Sequence, residues 1–170
     1  VKRFEAALRV AREMGRDDGV TLALAGLLPA LPPERKLPFL DLLGERGGMA
    51  AGPAAMTEAK DGPVEVRAAA IRALTRMGYT PALALMEQLA SGEDAELAKV
   101  ARNSLSYFPG QEADAALQAM VDNADPAIRR AAIELIGGGG LDNPVPLLAK
   151  AAKTDADESV RVAALKALKD

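Results

Sequence analysis

The chain has 170 residues, a formal net charge of -3 and a hydrophobic fraction of 49%, but only 3% of its residues are aromatic. It contains no Cys, no His and no Trp, which excludes disulfides, thiolate nucleophiles, cysteine or histidine metal sites and histidine as a general base. The slightly acidic charge gives no electrostatic reason to bind nucleic acid, and no apolar run approaches the roughly 20 residues of a membrane span. Ala and Leu must build the core, and because long alternating runs of Val, Ile and Thr are missing, the sequence predicts an all-α chain.

The first 61 residues predict two helical pairs with a weak repeat pattern. "FEAALRVAREMG" with "VTLALAGLLPAL" forms the first pair, and "KLPFLDLL" (36–43) with "AAMTEAK" (54–60) forms the second. Phe39, Leu40 and Leu43 recur at helical spacing, so they are candidate core residues. Because proline removes a backbone donor, the prolines of this region are expected to end or bend the helices. They are Pro29, Pro32, Pro33 and Pro38.

A repeat dominates the rest of the chain. Four stretches align at intervals of 31, 31 and 32 residues: "VRAAAIRAL" from Val66, "LAKVARNSL" from Leu97, "IRRAAIELI" from Ile128 and "VRVAALKAL" from Val160. Each begins with an apolar residue, followed by an Ala after four residues and by a Leu or Ile after eight. This spacing places the three side chains on one helical face, and the Ala predicts close approach of a neighbouring helix.

A second amphipathic helix follows each of the first three stretches. Its apolar columns are Met86, Leu117 and Leu148, then Leu89, Met120 and Ala151, then Ala90, Val121 and Ala152. Because one hairpin cannot bury both of its faces, successive hairpins must stack. The predicted fold is an all-α, right-handed α-α superhelix with about five helical hairpins and one C-terminal helix. We expect a single repeat domain over residues 1–170, degenerate over 1–61 and regular over 62–170, within a longer protein.

Aspartates precede the first helix of three repeats. Asp94, Asp125 and Asp157 each lie a few residues before the apolar column, where a carboxylate can accept hydrogen bonds from the free amides of the first turn. Pro126 suits the first helical position, since its missing N–H is not needed there. Pro63 is expected at the same position of its repeat, with Asp61 or Gly62 as the cap.

The stretches "DGPVEVRAAAIRAL" and "DADESVRVAALKAL" resemble HEAT repeats, in particular the short bacterial HEAT-like type that is also found in phycobilin lyases. The resemblance is clear from Asp61 to Asp170 and implies a helical solenoid in which an Asp and an Arg form a ladder between successive repeats. The residues that it assigns to this structural ladder are Asp61, Arg67, Arg129, Asp155 and Arg161. Gly92 and Ala98 stand where another repeat has this pair, so the ladder is expected to be interrupted there.

Four consecutive glycines, Gly137 to Gly140, raise the alternative of a phosphate-binding loop. Such a loop needs a Lys and a Ser or Thr at the start of the next helix, but Leu141, Asp142 and Asn143 follow here. The run also falls at the turn inside a hairpin, where an earlier repeat has Gly78. A turn that ends a helix is therefore the favoured interpretation.

The second helices of helical solenoids usually line the concave surface that binds partners. Their outward positions are therefore candidate partner-binding residues: Glu58, Glu87, Gln88, Gln118, Asp122, Lys150 and Lys153. Tyr107, which aligns with an outward column, and Arg102, a charged residue on an apolar column, are further candidates. All of these residues also fit solvated faces, and Arg102 fits a stem lying along the edge of the apolar stripe.

These features favour a non-catalytic scaffold that binds a protein or peptide, without cofactor, metal, nucleic acid or membrane. An enzyme is the alternative, because phycobilin lyases and alkylpurine DNA glycosylases carry HEAT-like repeats, although the scarcity of aromatic residues argues against both. A passive spacer between other domains is the third hypothesis. The last helix, Ser159 to Lys169, has no partner helix, which favours either truncation of a longer protein or end-to-end self-association through this helix. The sequence assigns no compartment, and a targeting signal could be missing.

Overall fold

The computed structural model describes residues 2–15, 17–109, 111–141 and 143–169. Over these ranges the chain forms eleven α-helices and no strand, which confirms the all-α prediction. Five predicted hairpins and one further helix also make eleven, so the predicted number of helices is confirmed. The chain divides into two compact units, Val1–Ala82 and Leu83–Asp170, and the expectation of one domain stays a prediction. The helices of the first unit are α1 (Lys2–Glu13), α2 (Asp18–Ala25), α3 (Pro33–Arg46), α4 (Gly52–Asp61) and α5 (Val64–Met77). Those of the second are α6 (Leu83–Ala90), α7 (Ala95–Ser106), α8 (Gln111–Val121), α9 (Pro126–Leu135), α10 (Val145–Thr154) and α11 (Glu158–Ala167).

In the first unit α5 packs against both α3 and α4, and α1 packs against α3. The predicted core residues Phe39, Leu40 and Leu43 are buried there. Pro38 does not end a helix, because α3 runs through it from Pro33 to Arg46. An interior proline costs about 3 kcal/mol or more, and the burial of the apolar residues that follow it offsets this cost.

Arg46 of α3 holds the C-terminal end of α1 in place by hydrogen bonds. Its side chain is buried, and Nη1 donates hydrogen bonds to the carbonyl oxygens of Ala11 (2.6 Å) and Met14 (3.2 Å). Nη2 donates to the carbonyl oxygen of Gly15. The last carbonyls of a helix have no partner inside it, so one guanidinium here satisfies the open end of α1.

In the second unit α9 packs against α7 and α11, and α8 packs against α6 and α9. The small-residue column of this unit is fully buried at Ala101, Ala132 and Ala164, which confirms that neighbouring helices approach closely there. The column eight residues after each start is also buried at Leu105 and Ile136.

The aspartate caps are confirmed. Asp94 accepts from the backbone N–H groups of Glu96 and Leu97, Asp125 accepts from Ala127, and Asp157 accepts from Ser159. Pro126 occupies the first turn of α9, as predicted. The placement of Pro63 is wrong by one residue: α5 begins at Val64, Pro63 is itself the N-cap, and no side chain caps this helix.

The glycine run forms a turn. Ile136–Gly140 continues α9 as one wide helical turn, and Gly139 has a φ of 100°, a conformation that L-residues rarely adopt. Gly137 lies so close to Ala167 of α11 that a side chain there would collide with it. Gly78, at the corresponding place in an earlier repeat, ends α5 in the left-handed conformation. Gly110 and Asp142 lie outside the described residues.

Candidate binding groove between α8 and α10

A bidentate ion pair links Arg129 of α9 to Asp155, which lies in the loop between α10 and α11. Arg129 Nε donates to Asp155 Oδ2 and Nη2 donates to Oδ1, both at 2.9 Å, while Nη1 donates to the carbonyl oxygens of Asn123 and Ala124. The hydrogen bonds from Arg129 hold the pKa of Asp155 below its ordinary value. Arg161 donates to the carbonyl oxygens of Asp155 and Ala156. Arg129, Asp155 and Arg161 thus tie two successive repeats together.

The other ladder residues behave differently. Asp61 is the exposed last residue of α4 and forms no ion pair within the described part of the chain. Arg67 donates Nε–H to the carbonyl oxygen of Ala59, at the end of α4. Arg102, in the repeat where the Asp and Arg positions hold Gly92 and Ala98, donates Nη1–H to the carbonyl oxygen of Ala90 at 2.6 Å. Its guanidinium therefore satisfies the end of α6.

The outward placement of Glu58 is wrong. Its side chain is buried and forms an ion pair with Lys36, whose Nζ donates to Oε1. The pairing has a physical reason, because a carboxylate that packs between α4 and α3 requires a cation to offset its lost hydration. Glu58 therefore belongs to the interior of the first unit and is not a candidate for partner binding.

An open groove of about 660 Å³ lies in the second unit. Its apolar wall consists of Val121 on α8 with Pro146, Leu147 and Ala151 on α10. Its other lining residues are Gln118, Asp122, Arg129, Lys150, Thr154, Asp155 and Ala156. We call it the α8–α10 groove.

Three residues that the sequence predicts as a binding surface meet at this groove. Gln118 and Asp122 of α8 and Lys150 of α10 are exposed along its edges. Lys150 Nζ lies 4.0 Å from Asp122 Oδ1, and both side chains are more than 70% exposed. Ion pairs this exposed contribute about 0–1 kcal/mol, so both charges remain available to a ligand.

The remaining predicted residues lie outside the groove. Lys153 and Gln88 are exposed on α10 and α6. Glu87 is half-buried, and burial raises the pKa of its carboxyl. Tyr107 is 82% exposed at the end of α7. The structure therefore gathers Gln118, Asp122 and Lys150 around one cavity and leaves the others on separate surfaces.

Sequence reasoning missed the apolar wall of the groove. Val121 and Ala151 stand on the predicted core columns, and Leu147 lies on none of these columns. In the structure Val121 and Leu147 are only half-buried, because α8 and α10 leave part of this apolar surface uncovered. A second cavity of about 610 Å³, beside α11, is lined mainly by polar residues.

Two further classes of site concern metal ions and membranes. No group of three or more Asp and Glu side chains there is arranged to hold a metal ion. No helix in the same part of the chain has both the length and the apolar character needed to cross a membrane.

The stacked hairpins, the buried Ala column and the Arg129–Asp155 pair define a helical-repeat protein. A family model described as HEAT repeats matches residues 52–137 and 113–170, which is more than half of the chain. The chain belongs to the HEAT-repeat family, as the sequence resemblance predicts.

Comparison with curated proteins finds no match. Among solved structures, the chain is similar to the complex of CpcE and CpcF of phycocyanin lyase from Nostoc sp. PCC7120, with 22% identity, coverage of 89% of this chain and 99% of that chain, and a TM-score of 0.49. It is also similar to a designed armadillo repeat protein in complex with the peptide (KR)4, with 19% identity, coverage of 89% and 81%, and a TM-score of 0.47. Computationally designed armadillo repeat proteins for modular peptide recognition follow with 20% identity, coverage of 89% and 74%, and a TM-score of 0.40.

Proposed function

We propose that this chain is a non-catalytic scaffold whose α8–α10 groove binds a segment of another polypeptide. The groove itself carries the proposal: an apolar wall faces a cavity of about 660 Å³ whose edges bear Gln118, Asp122 and Lys150. This volume lies within the roughly 300–1,000 Å³ range of ligand sites.

The chemistry of the groove favours a polypeptide segment with one or two apolar side chains flanked by charged residues. Leu147 and Val121 offer half-buried apolar surface, and burying such surface under a ligand is favourable. Asp122 and Lys150 offer one charge of each sign, and Gln118 can donate and accept hydrogen bonds with a peptide backbone. Arg129 and Asp155 already satisfy each other, so they shape the end of the groove without contributing a free charge.

The test begins with a displayed library of random peptides selected on the purified chain. The enriched peptide is synthesised with a fluorophore, and its binding is measured by fluorescence anisotropy. Leu147→Glu places a charge in the apolar wall and should weaken binding at least about tenfold. Val145→Glu is the matched control, since Val145 is exposed on the same helix and does not line the groove.

Circular dichroism verifies that both variants retain the helical content of the unaltered chain. Equal binding by the two variants would place the peptide elsewhere and contradict the proposal. Failure to enrich any peptide would favour the passive spacer. Catalytic turnover of a bilin or of alkylated DNA by the purified chain would favour the enzymatic alternative.

A further inference from the structure

Glu87 is a half-buried acid on α6 that has no cation beside it in the described part of the chain. Burial raises the pKa of its carboxyl, and none of the ion pairs among the described residues includes it. A charged group that loses hydration without gaining a partner costs free energy. Natural proteins keep such costs mainly at functional sites, so Glu87 is a candidate contact for a ligand.

The repeat alignment places Glu87 in the same column as Gln118, which lines the α8–α10 groove. Met86 and Leu117, the residues that precede them, are both fully buried, so the two helices turn equivalent faces to the core. Because α6 packs against α8 within the second compact unit, Glu87 stands beside the next gap between second helices. We call this gap the α6–α8 seam.

The groove and the seam differ in the helix that faces each acid. Across the groove, Lys150 Nζ of α10 lies 4.0 Å from Asp122 Oδ1. The counterpart of Lys150 on α8, 31 residues earlier, is Ala119, and Ala115 precedes it by one helical turn. Both alanines are exposed, and a methyl group cannot neutralise a carboxylate. The α6–α8 seam therefore has an acid on one side and no base on the other.

We propose that Glu87 binds a Lys or Arg side chain of the same polypeptide segment whose apolar side chain occupies the α8–α10 groove. This inference rests on the proposed function, because it extends the bound segment by one repeat. Packed helices lie about 8–10 Å apart, and an extended chain advances about 3.3–3.6 Å per residue. The basic residue of the ligand should therefore stand about three residues from the apolar one.

The peptides enriched on the purified chain give the first readout. We expect each to carry Lys or Arg about three residues from its apolar residue, and always on the same side of it. In fluorescence anisotropy with the labelled peptide, Glu87→Gln should weaken binding about tenfold, since a charge-assisted contact is lost. Changing the basic residue of the peptide to Ala should weaken binding by the same factor. The two changes together should cost no more than either alone.

A control variant and a stability measurement separate this contact from general effects. Glu96→Gln is the matched control, since Glu96 is an exposed acid in the first turn of α7 and should leave binding unchanged. Urea unfolding should show that Glu87→Gln is at least as stable as the unaltered chain, because the substitution removes the desolvation cost of the charge. A loss of stability in Glu87→Gln would overturn the proposal, since the carboxylate would then serve the fold.

Leu147→Glu distinguishes this proposal from the proposed function. If Leu147→Glu weakens binding and Glu87→Gln does not, the groove remains the binding site and the contact at Glu87 is refuted. Additive losses from Glu87→Gln and the peptide substitution would refute it as well. Unchanged binding by Leu147→Glu, or no enriched peptide at all, would contradict the proposed function and this inference with it.

Discussion

Removing the Asp155 charge gives a sharp test of the ladder. Asp155→Asn replaces the carboxylate that accepts both hydrogen bonds from Arg129, at a site where the two side chains are only 15% and 10% exposed. A hydrogen bond to a charged group contributes about 1.5–3 kcal/mol. The amide oxygen of Asn retains one bond, and the carbonyls of Asn123 and Ala124 still hold the guanidinium. We therefore expect a loss of about 2 kcal/mol in the free energy of unfolding.

Asp61→Asn is the matched control. Asp61 precedes Arg67 by six residues, as Asp155 precedes Arg161, but its carboxylate is exposed and unpaired in the described residues. The substitution there should change the free energy of unfolding by less than about 0.5 kcal/mol. Urea unfolding monitored by circular dichroism measures both variants, and hydrogen exchange shows whether protection is lost from α9 to α11.

The dependence of the free energy of unfolding on pH gives a second test of the same ion pair. Because the pKa of Asp155 is lowered in the folded state, its contribution is complete above the ordinary value of 3.8 and is lost as the pH falls through the folded-state pKa. Asp155→Asn should therefore lose part of the acid destabilisation seen below about pH 4. Equal destabilisation by the Asp155 and Asp61 substitutions, or an unchanged acid profile, would refute the inference that this ion pair ties the repeats together.

Three further predictions concern other contacts. Gly137→Ala should destabilise the second unit by about 1–3 kcal/mol in urea unfolding, since the new methyl group meets Ala167, whereas Gly138→Ala, which has open space around it, should stay within about 0.5 kcal/mol. Equal destabilisation by the two substitutions would contradict the close approach of Gly137 to Ala167. Arg46→Met should cost about 2–4 kcal/mol and remove hydrogen-exchange protection from α1, because it leaves the carbonyls at the end of that helix without a donor. Retained protection in α1 would show that the hydrogen bonds from Arg46 do not hold this helix in place. Glu87→Gln should raise the free energy of unfolding at pH 7, and the gain should vanish below the ordinary pKa of 4.5, since burial penalises only the charged carboxylate. A gain that persists at low pH would have another cause.

Periodicity predicts the parts of this fold that rest on local geometry. Ala132 and Leu105 are buried because a helix places every fourth residue on one face, and Asp125 caps α9 because its carboxylate reaches the free amides of the next turn. None of these features depends on how distant parts of the chain meet.

The buried charges of the first unit depend on those distant contacts. Glu58 precedes Leu89 by the same 31 residues that separate the early repeats, and Arg46 precedes Met77 by 31, so both charges stand on apolar columns. A charged residue on an apolar column is the feature of the sequence that indicates a buried, paired side chain. The identity of the partners, Lys36 for Glu58 and the end of α1 for Arg46, follows only from the packing of α3 against its neighbours.

The α8–α10 groove required the structure for a similar reason. Gln118, Asp122 and Lys150 are predictable as outward residues of second helices, but the sequence gives no measure of the gap between the helices. Val121 and Leu147 are apolar residues of the kind found in cores. They are only half-buried because of the way α8 and α10 pack. The pattern therefore predicts which faces are polar, and the tertiary arrangement determines which apolar residues remain accessible to a ligand.

Hydrogen exchange of the chain with and without a library-selected peptide tests the proposed binding site most directly. If the peptide occupies the α8–α10 groove, added protection concentrates in α8 (Gln111–Val121) and α10 (Val145–Thr154), and Leu147→Glu removes it. Protection confined to α1 through α5, or the same protection in Leu147→Glu as in the unaltered chain, would contradict the account.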